Sequence, residues 1–352
     1  MRLANYFYDV ATDKESGCIA VFVKIGLFIT SIAYGVIIRA LIFLQSLWRH
    51  QLGCKVISVG NITWGGTGKT PLVESIARYL KQRGRKVAIL SRGYKRKTVD
   101  CRLSTVDYKN VGDEPAMLMN NLEDVPVIVD ANRIRSAKKA IKEYAADTVL
   151  LDDGFQQWKI KKDLEIVAID AVCPFGNRHM IPRGILREPL SSLKRADMFV
   201  FTKTNLNPDI QKAKDFLHSL NPQAAIFESI HKPKGFYDIT KLQELLSLDL
   251  LQGKIVTSLC ALAAPDSFEG LIKELGASVG LSFRFSDHYA YQKNDIDEVI
   301  RQSKDKGITI IVTTEKDAVR IPREAIASDV SVLALKIELT ITGNEEEFYN
   351  RI

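Results

Sequence analysis

The amino-acid sequence predicts an α/β fold, and three features of the chain support this. Short aliphatic and β-branched runs, such as residues 55–59 and 149–151, have the composition of buried parallel strands. The first run leads through a glycine-rich loop into residues 72–84, which have helical periodicity. Strands and helices alternate again in the second half. With 352 residues, the chain is long enough for two such units.

Composition and charge indicate a globular protein with an anionic partner. Hydrophobic residues make up 46% and charged residues 26%, which excludes a disordered chain. The net charge of +7 suits a nucleotide, a phospholipid surface, a phosphorylated substrate or a nucleic acid. The five cysteines and five histidines are scattered, so the sequence predicts no zinc site and a reducing compartment.

The first fifty residues contain a long apolar segment, residues 18–48. Its longest uncharged run, 25–38, is shorter than the roughly 20 residues that a spanning helix needs. Acidic residues precede it where a signal peptide carries basic ones. We predict a helix that lies in a membrane interface, with Lys24 and Arg39 reaching the headgroups. The alternatives are a buried core helix and a spanning helix.

Residues 60–71 (GNITWGGTGKTP) predict a phosphate-binding loop, because a strand precedes them and a helix follows. Lys69 would reach the β- and γ-phosphate oxygens of ATP, and the Thr70 hydroxyl would bind Mg²⁺. Thr63 replaces the first consensus glycine, and a glycine-rich turn with a chance Lys-Thr pair is the alternative. The predicted nucleotide-binding residues are Thr63, Trp64, Gly65, Gly66, Thr67, Gly68, Lys69 and Thr70.

Two carboxylates, Asp152 and Asp153, end the strand at 149–151. A hydrophobic strand that ends in aspartate is the Walker B pattern, in which a carboxylate holds Mg²⁺ or its water. Both are predicted metal ligands, and the sequence does not distinguish them. The alternative is that they cap a helix.

Other candidate site residues follow further strands. Arg92 comes after the strand at 86–90, at the sheet edge where α/β proteins bind ligands, so we expect it to contact phosphate or substrate. Residues 202–205 (TKTN) resemble the [NT]-K-x-D guanine-reading motif of GTPases, with Asn205 where aspartate is required. The VGDEP segment supplies Asp113 and Glu114 on a predicted loop, and either could accept a proton.

In the second half, a strand at 225–230 precedes a predicted polar turn, KPKG. Another strand occupies 254–260. The strand that ends in TTEKD carries residues 314–317, which either face the nucleotide or cap the next helix. The tail, GNEEEFYN, is predicted to lie on the surface.

Together these motifs resemble the tetraacyldisaccharide 4′-kinase family of lipid A biosynthesis. The resemblance runs in family order from about residue 56 to 320 and departs at residues 176–184, GNRHMIPRG. The matching segments are VGNITWGGTGKTPLV, LSRGYKRK, VGDEPAML, DDGFQQ, LREPLSSLKRADMFVFTK, FSDHYAY and VTTEKDAVR.

The resemblance implies a P-loop NTPase-like α/β/α domain and a smaller α/β domain joined by a β-ribbon, with a membrane-interface helix at the N-terminus. The predicted boundaries are 1–50 for the docking segment, 51–222 for the nucleotide-binding domain, 223–240 for the ribbon and 241–352 for the second domain, with a returning ribbon strand near 331–339.

The resemblance also implies the reaction: ATP, with Mg²⁺, phosphorylates the 4′-hydroxyl of a tetraacylated glucosamine disaccharide 1-phosphate. The implied setting is the cytoplasmic face of the bacterial inner membrane, with a peripheral attachment, no nucleic acid and no obligate protein partner. The family's base matches Asp113, assisted by the histidine that matches His288. The expected substrate contacts are Arg92, Glu114, Gln156 of DDGFQQ and Arg187 of LREPL.

The main alternative is a P-loop switch ATPase or GTPase that acts at a membrane. One such ATPase type has a lysine early in its loop, where this chain has residues 62–64 (ITW), and the guanine motif lacks its aspartate. A nucleic-acid-binding ATPase would need an array of aromatic and basic residues that the sequence does not contain.

Overall fold

The computed structural model describes residues 10, 13, 15, 17–93, 99–100, 111–122, 124–207, 209–241, 244–262, 265–326 and 329–352. The strands within them are β1 (Lys55–Gly60), β2 (Val87–Ser91), β3 (Val99–Asp100), β4 (Val127–Val129), β5 (Thr148–Asp152), β6 (Leu164–Asp170), β7 (Met198–Thr202), β8 (Ala225–Asp238), β9 (Ile255–Cys260), β10 (Ser278–Arg284), β11 (Ile310–Thr314) and β12 (Ser331–Thr342). The α-helices are α1 (Cys18–Ser46), α2 (Lys69–Gln82), α3 (Asp113–Asn121), α4 (Arg133–Tyr144), α5 (Gln211–Leu220), α6 (Pro265–Glu274), α7 (Lys293–Asp305), α8 (Glu315–Ala318) and α9 (Glu345–Asn350).

These strands form a single sheet of 12 strands in the order β10-β9-β11-β12-β8-β7-β6-β1-β5-β2-β4-β3. Neighbours are parallel except for β8 with β12 and β3 with β4. The first unit is centred on β1, which pairs with β5 on one side and β6 on the other. The second unit contains β9, β10 and β11. Strands buried on both faces explain the continuous apolar runs in the sequence.

Strands β8 and β12 form an antiparallel ribbon that belongs to both units. β8 begins beside β7 in the first unit, and β12 begins beside β11 in the second. The predicted KPKG turn was wrong, because β8 continues through it. The register shift that places Lys336 opposite Gly235 and Ile337 opposite Pro233 leaves Lys234 unmatched, so a β-bulge accommodates the segment.

The C-terminal tail returns to the first unit, and the prediction of a surface tail holds for residues 343–347 and 350 but is wrong for Phe348. Phe348 is fully buried and meets Phe227 edge to face, with ring centroids 5.3 Å apart. Tyr349 stacks on Tyr79 of α2 at 4.3 Å. The acidic residues of α9 hid this packing from the sequence, because they occupy only its outer face. The C-terminal end of the predicted second domain, 241–352, therefore packs against the first unit.

Helix α1 contacts the first unit along a narrow stripe. Ser31 and Ile38 are buried on this stripe, and the Tyr34 hydroxyl donates to the Arg187 carbonyl at 2.9 Å. Most of the remaining surface of α1 is exposed to solvent, and the side chains of Phe22 and of Trp48, just after the helix, are 76% and 79% exposed. Only 11% of the most apolar stretch of α1 is buried, whereas a helix of the core would be mostly buried. By length and composition it is the one helix in the described residues that could cross a membrane.

Candidate active site

The glycine-rich loop leads into helix α2 as predicted. Gly68 caps the helix with φ of 70°, a conformation that favours glycine. A Cβ atom there would also lie 2.9 Å from Nε2 of His231, so the position has no room for a side chain. The first-turn N–H groups of α2 have no partner within the helix and face the loop, which is the usual arrangement of a phosphate site.

Neighbouring segments hold the loop in place. The Trp64 amide donates to the Ile185 carbonyl at 2.7 Å. Thr63 is buried and forms a β-bridge with Leu186, whereas the Trp64 side chain is 67% exposed. Thr67 accepts a hydrogen bond through its carbonyl from the Thr202 hydroxyl at 2.9 Å. The loop is therefore fixed to the segment between β6 and β7 and to the last residue of β7.

Asp153 is surrounded by cations. Arg187 donates to both of its oxygens, from Nη1 at 2.9 Å and from Nη2 at 2.8 Å, and Lys69 Nζ lies 3.5 Å from Oδ1. Burial by itself would raise the pKa of Asp153, but the hydrogen bonds from Arg187 and the charge of Lys69 outweigh it and hold that pKa well below its usual range. This carboxylate already has its counter-charges.

Asp152, one residue earlier, is in the opposite situation. Its Oδ2 accepts from the Ser91 hydroxyl at 2.9 Å, while its Oδ1 is buried without a hydrogen-bond partner among the described residues. Burial, together with the charges of Glu114 and Asp153, raises the pKa of Asp152 to about 6. A buried oxygen that lacks a partner is costly, so it calls for a cation.

The donor set fits Mg²⁺ better than a transition metal. No group of three or more His, Cys, Asp or Glu residues in the described part of the chain could enclose a metal ion. Mg²⁺ is usually held by one or two carboxylates together with phosphate oxygens and water. Asp152, with Thr70 buried at the start of α2, provides such a partial set.

A second cluster contains Asp113 of the first unit with His288 and Arg320 of the second, and we call it the acceptor end of the site. His288 Nδ1 lies 2.7 Å from Asp113 Oδ2, and Arg320 Nε lies 3.8 Å from the same oxygen. Burial would raise the pKa of Asp113, but His288 and Arg320 lower it to about 2. The hydrogen bond from Asp113 in turn raises the pKa of His288.

Asp113 and Glu114 were predicted on a loop and instead begin helix α3. Gly112, with φ of 98°, lets the chain turn into the helix, and carboxylates are stabilised at a helix N-terminus. Glu114 accepts from Lys316 Nζ of the second unit at 2.8 Å. Burial opposes its ionisation, yet the charges of Lys316 and Lys69 lower the pKa of Glu114.

Residues 314–317 cap the next helix, which is one of the two predicted alternatives, and the other, that they face the nucleotide, stays a prediction. The Thr314 hydroxyl accepts from the Asp317 amide at 3.1 Å and caps helix α8, while Lys316 faces the site. Glu315 also connects the units, because its Oε1 accepts from the Asn121 side chain at 3.1 Å and its Oε2 from the Ile337 amide at 3.1 Å. Helix α3 is therefore held by the second unit at both of its ends.

The remaining candidates take different positions. The Gln156 side chain donates to the Asn61 carbonyl at 3.1 Å and to Oε1 of the fully buried Glu188 at 3.0 Å. Arg187 also donates to the Asn61 carbonyl, at 3.0 Å, so both residues support the loop. Arg92 is exposed just beyond β2, and its contact with phosphate or substrate stays a prediction.

Sequence reasoning missed two buried cations, Arg320 beside Asp113 and Arg133 beside Asp152. Arg133 begins α4, is only 2% exposed and donates to the Asp152 carbonyl at 3.4 Å. Burial lowers the pKa of Arg133 to about 10, although Asp152 and Asp153 oppose this effect. Its place after strand β4, at the same edge as the other strand ends, was the available signal.

Comparisons with known proteins point to one family. The family model described as LpxK, tetraacyldisaccharide-1-P 4′-kinase, matches residues 23–352. The tetraacyldisaccharide 4′-kinase of Halothermothrix orenii is 37% identical over 370 residues, covering 97% of this chain and 95% of the relative. That of Anaeromyxobacter dehalogenans strain 2CP-C is 37% identical over 301 residues, covering 82% and 78%. The solved structure of Aquifex aeolicus LpxK in complex with ATP has a TM-score of 0.74 and 28% identity, covering 93% of this chain and 98% of that one.

Proposed function

The chain belongs to the tetraacyldisaccharide-1-P 4′-kinase family, and we propose that its Asp113–His288 pair accepts the proton of the sugar 4′-hydroxyl while Lys69 and the glycine-rich loop hold the phosphates of ATP. As a member of this family it is a kinase that acts on the disaccharide precursor of lipid A. The observation that carries the proposal is the contact of 2.7 Å between His288 and Asp113, which belong to different units.

The phosphates of ATP would lie over the loop and the N-terminus of α2. Lys69 Nζ is held by Asn61 Oδ1 at 3.1 Å and by Asp153, so the ammonium group is already oriented when nucleotide arrives. Such a preorganised charge stabilises the negative charge that develops on the β–γ bridging oxygen. Arg187 and Gln156 support Asn61 and thereby the loop.

Mg²⁺ would be held by Asp152 and Thr70, with Asp153 reserved for Lys69 and Arg187. The unpartnered Oδ1 of Asp152 and the saturated oxygens of Asp153 support this division. When bound, the ion supplies neutralising charge to the phosphate oxygens.

The proton of the acceptor would come to rest on His288. The 4′-oxygen forms a bond to the γ-phosphorus, the bond to the β–γ bridging oxygen breaks, and ADP leaves with that electron pair. His288 and Arg320 lower the pKa of Asp113 to about 2, so within the pair Asp113 is the weaker proton acceptor, whereas Asp113 raises the pKa of His288. Asp113 would therefore orient the imidazole through Nδ1 and stabilise its charge, leaving Nε2 to take the proton.

Helix α1 would attach the enzyme to the membrane surface, where the glycolipid is found, at the cytoplasmic side that contains ATP. Its open apolar face supports this, as does the edge-to-face contact of Phe28 with His179 at 5.6 Å, which links the helix to the 176–184 loop. Phe22→Glu with Ile29→Glu should reduce sedimentation with anionic vesicles by more than about tenfold. Ile255→Glu, at an equally exposed apolar residue of the second unit, is the matched control. Unchanged vesicle binding would remove α1 from this role.

The catalytic proposal is tested by transfer of labelled γ-phosphate from ATP to purified disaccharide lipid. Asp113→Asn and His288→Ala should each lower kcat by about 10²–10⁴-fold, and the double variant by little more, because the two residues act as one unit. The affinity for ATP should stay close to that of the wild type. His218→Ala, at an exposed histidine of α5, is the control. Additive losses, or a normal kcat in either variant, would contradict the assignment.

A further inference from the structure

One face of α1 packs against the loop between β6 and β7. Phe28 meets His179 of this loop edge to face, and a Cβ atom at Gly35 would lie only 3.2 Å from Sδ of Met180. Tyr34 lies on the buried side of the helix, because it follows the buried Ser31 by three residues and precedes the buried Ile38 by four. The contact face of α1 therefore includes a tyrosine.

The chain that continues from this loop pairs with the phosphate-binding loop. Leu186 forms a β-bridge with Thr63, and the Arg187 amide donates to the Ile62 carbonyl at 2.8 Å. Residues 176–187 therefore connect α1 to the glycine-rich loop, and a displacement of α1 would reach that loop through them.

We propose that Tyr34 is a positioning residue for phosphate transfer, so that α1 supports the active site as well as attaching the protein to the membrane. Tyr34 acts through Arg187 and touches neither the nucleotide nor the acceptor. This inference rests on the proposed function, because it takes Lys69 as the residue that acts on the phosphates of ATP. It goes beyond that function by linking the membrane helix to the rate of the chemical step.

The hydroxyl group of Tyr34 holds Arg187 by its backbone. It donates to the Arg187 carbonyl at 2.9 Å, and this carbonyl has no other hydrogen-bond donor among the described residues. Apolar contacts, such as that of Phe28, are not directional and tolerate small shifts, whereas a hydrogen bond fixes a distance and an angle. Loss of this bond would leave α1 packed on the first unit but would release the backbone of Arg187.

The side chain of Arg187 connects this backbone position to Lys69. Its terminal nitrogens bind both oxygens of Asp153, and Nη2 also donates to the Asn61 carbonyl at 3.0 Å. Asp153 and Asn61 are the two residues that hold the Lys69 ammonium group. A shift of Arg187 would therefore disturb both anchors of Lys69, and a displacement of about 1 Å can cost about 100-fold in rate.

The same hydrogen bond argues against a direct contact of Tyr34 with a ligand. A tyrosine hydroxyl has a single proton, and that of Tyr34 is committed to the Arg187 carbonyl. No donor is then left for a lipid phosphate or a sugar oxygen. The half-buried position of Tyr34, against the first unit, also separates it from the open apolar faces of α1.

The test compares Tyr34→Phe with the wild type in the transfer of labelled γ-phosphate from ATP to purified disaccharide lipid. The variant retains the ring and loses only the hydroxyl group. We expect kcat to fall about tenfold, as the loss of one hydrogen bond would cause, because Lys69 is less well oriented. The KM for the lipid, the melting temperature and sedimentation with anionic vesicles should stay close to those of the wild type.

Tyr349→Phe is the matched control. It removes the hydroxyl group of another half-buried tyrosine, which pairs with the Ser75 hydroxyl at 2.7 Å, and it should leave kcat unchanged. A similar loss of kcat in Tyr349→Phe would mean that the rate responds to any lost tyrosine contact, which would contradict a specific role of Tyr34.

A double-mutant cycle with Asp153→Asn tests the route through Arg187. Asp153→Asn already releases Arg187 and Lys69, so the double variant should be little slower than Asp153→Asn alone. Losses that multiply would overturn this route and reduce Tyr34 to a structural contact.

The outcomes also separate this inference from the function on which it rests. A wild type that phosphorylates the lipid, with a Tyr34→Phe kcat within about twofold of it, would overturn the role of Tyr34 and leave the kinase assignment intact. A raised KM for the lipid with an unchanged kcat would make Tyr34 a substrate contact and would overturn the inference as well. A wild type that transfers no phosphate to the lipid would contradict the proposed function and the inference with it.

Discussion

The nucleotide end and the acceptor end of the site differ in which of the two units supplies their residues. At the nucleotide end, the functional side chains all come from the first unit, and each is less exposed than that of His288: Lys69, Asp152, Asp153 and Arg187. At the acceptor end, Asp113 comes from the first unit, while its partner His288 comes from the second and has a side chain that is 57% exposed. The first end is complete within one unit, whereas the second exists only when both units are in place.

This difference predicts separate behaviour for binding and transfer. ATP should bind whether or not the two units are closed on each other. Proton transfer requires the contact between them, so separating the units should stop transfer while leaving ATP binding in place. The following predictions would break or sharpen this comparison.

The largest effect should come from Lys69→Ala at the nucleotide end. Loss of the oriented ammonium group should lower kcat for phosphate transfer by at least about 10²–10³-fold in a protein that remains folded, because that charge acts on the transition state. Lys81→Ala, on the exposed face of the same helix, should be close to wild type. A folded Lys69→Ala enzyme with normal turnover would show that the loop is not the phosphate site.

Replacing each of the adjacent carboxylates, Asp152 and Asp153, by an amide should separate metal binding from the orientation of Lys69. Asp152→Asn should raise the Mg²⁺ concentration for half-maximal rate by at least about tenfold and be rescued in part by excess Mg²⁺. Asp153→Asn should lower kcat without changing that requirement, because it releases Lys69 and Arg187. Mg²⁺ titrations of the two variants, run together, decide the matter, and the reverse pattern would exchange the two roles.

The pH dependence of kcat should follow the protonation of His288 at the acceptor end of the site. His288 must be neutral to take a proton, and Asp113 raises its pKa above the usual 6.5. The rate should therefore fall about tenfold per pH unit below that raised pKa. In Asp113→Asn the hydrogen-bonded carboxylate is gone, so the residual activity should have its acid limb at lower pH. A limb that stays in place would mean that another group titrates.

The smallest effect on the rate should come from Glu315, at the contact between the units. Burial raises the pKa of its carboxyl to about 7, so the folded state binds a proton that the unfolded state releases near pH 4.5. The free energy of unfolding should therefore fall by roughly 3 kcal/mol between pH 4.5 and 7 and then level off. Glu315→Gln should abolish that slope in denaturant titrations at pH 5.5 and 8, and a persisting slope would assign it to another residue.

Local sequence predicted the strand, loop and helix around Lys69 well, and it predicted the contact between Asp113 and His288 poorly. The strand, loop and helix around Lys69 are contiguous, so a short pattern was enough. Asp152 and Asp153 could not be separated, because the difference depends on Arg187 and on Ser91, both distant in sequence. The proximity of His288 to Asp113 came from family resemblance alone, since no local rule relates residues so far apart.

The same reasoning explains the errors in the fold. The KPKG segment has turn-forming residues, but pairing with β12 overrides that preference and a bulge absorbs the extra residue. The acidic tail buries only one face, which a composition rule does not detect. Long-range pairing decided both cases, and a single sequence does not display it.

The return of the tail has a consequence for biosynthesis. Phe348 fills the interior of the first unit beside Phe227, and the Lys55 ammonium group at the start of β1 donates to the Ile352 carbonyl. A ribosome releases the first unit's strands early, yet the helix that closes their core, α9, emerges only after the second unit. The nucleotide-binding unit would therefore finish folding only after α9 is made. Nascent chains that stop before α9 should be protease-sensitive in the first unit, and chains that include it should be protected.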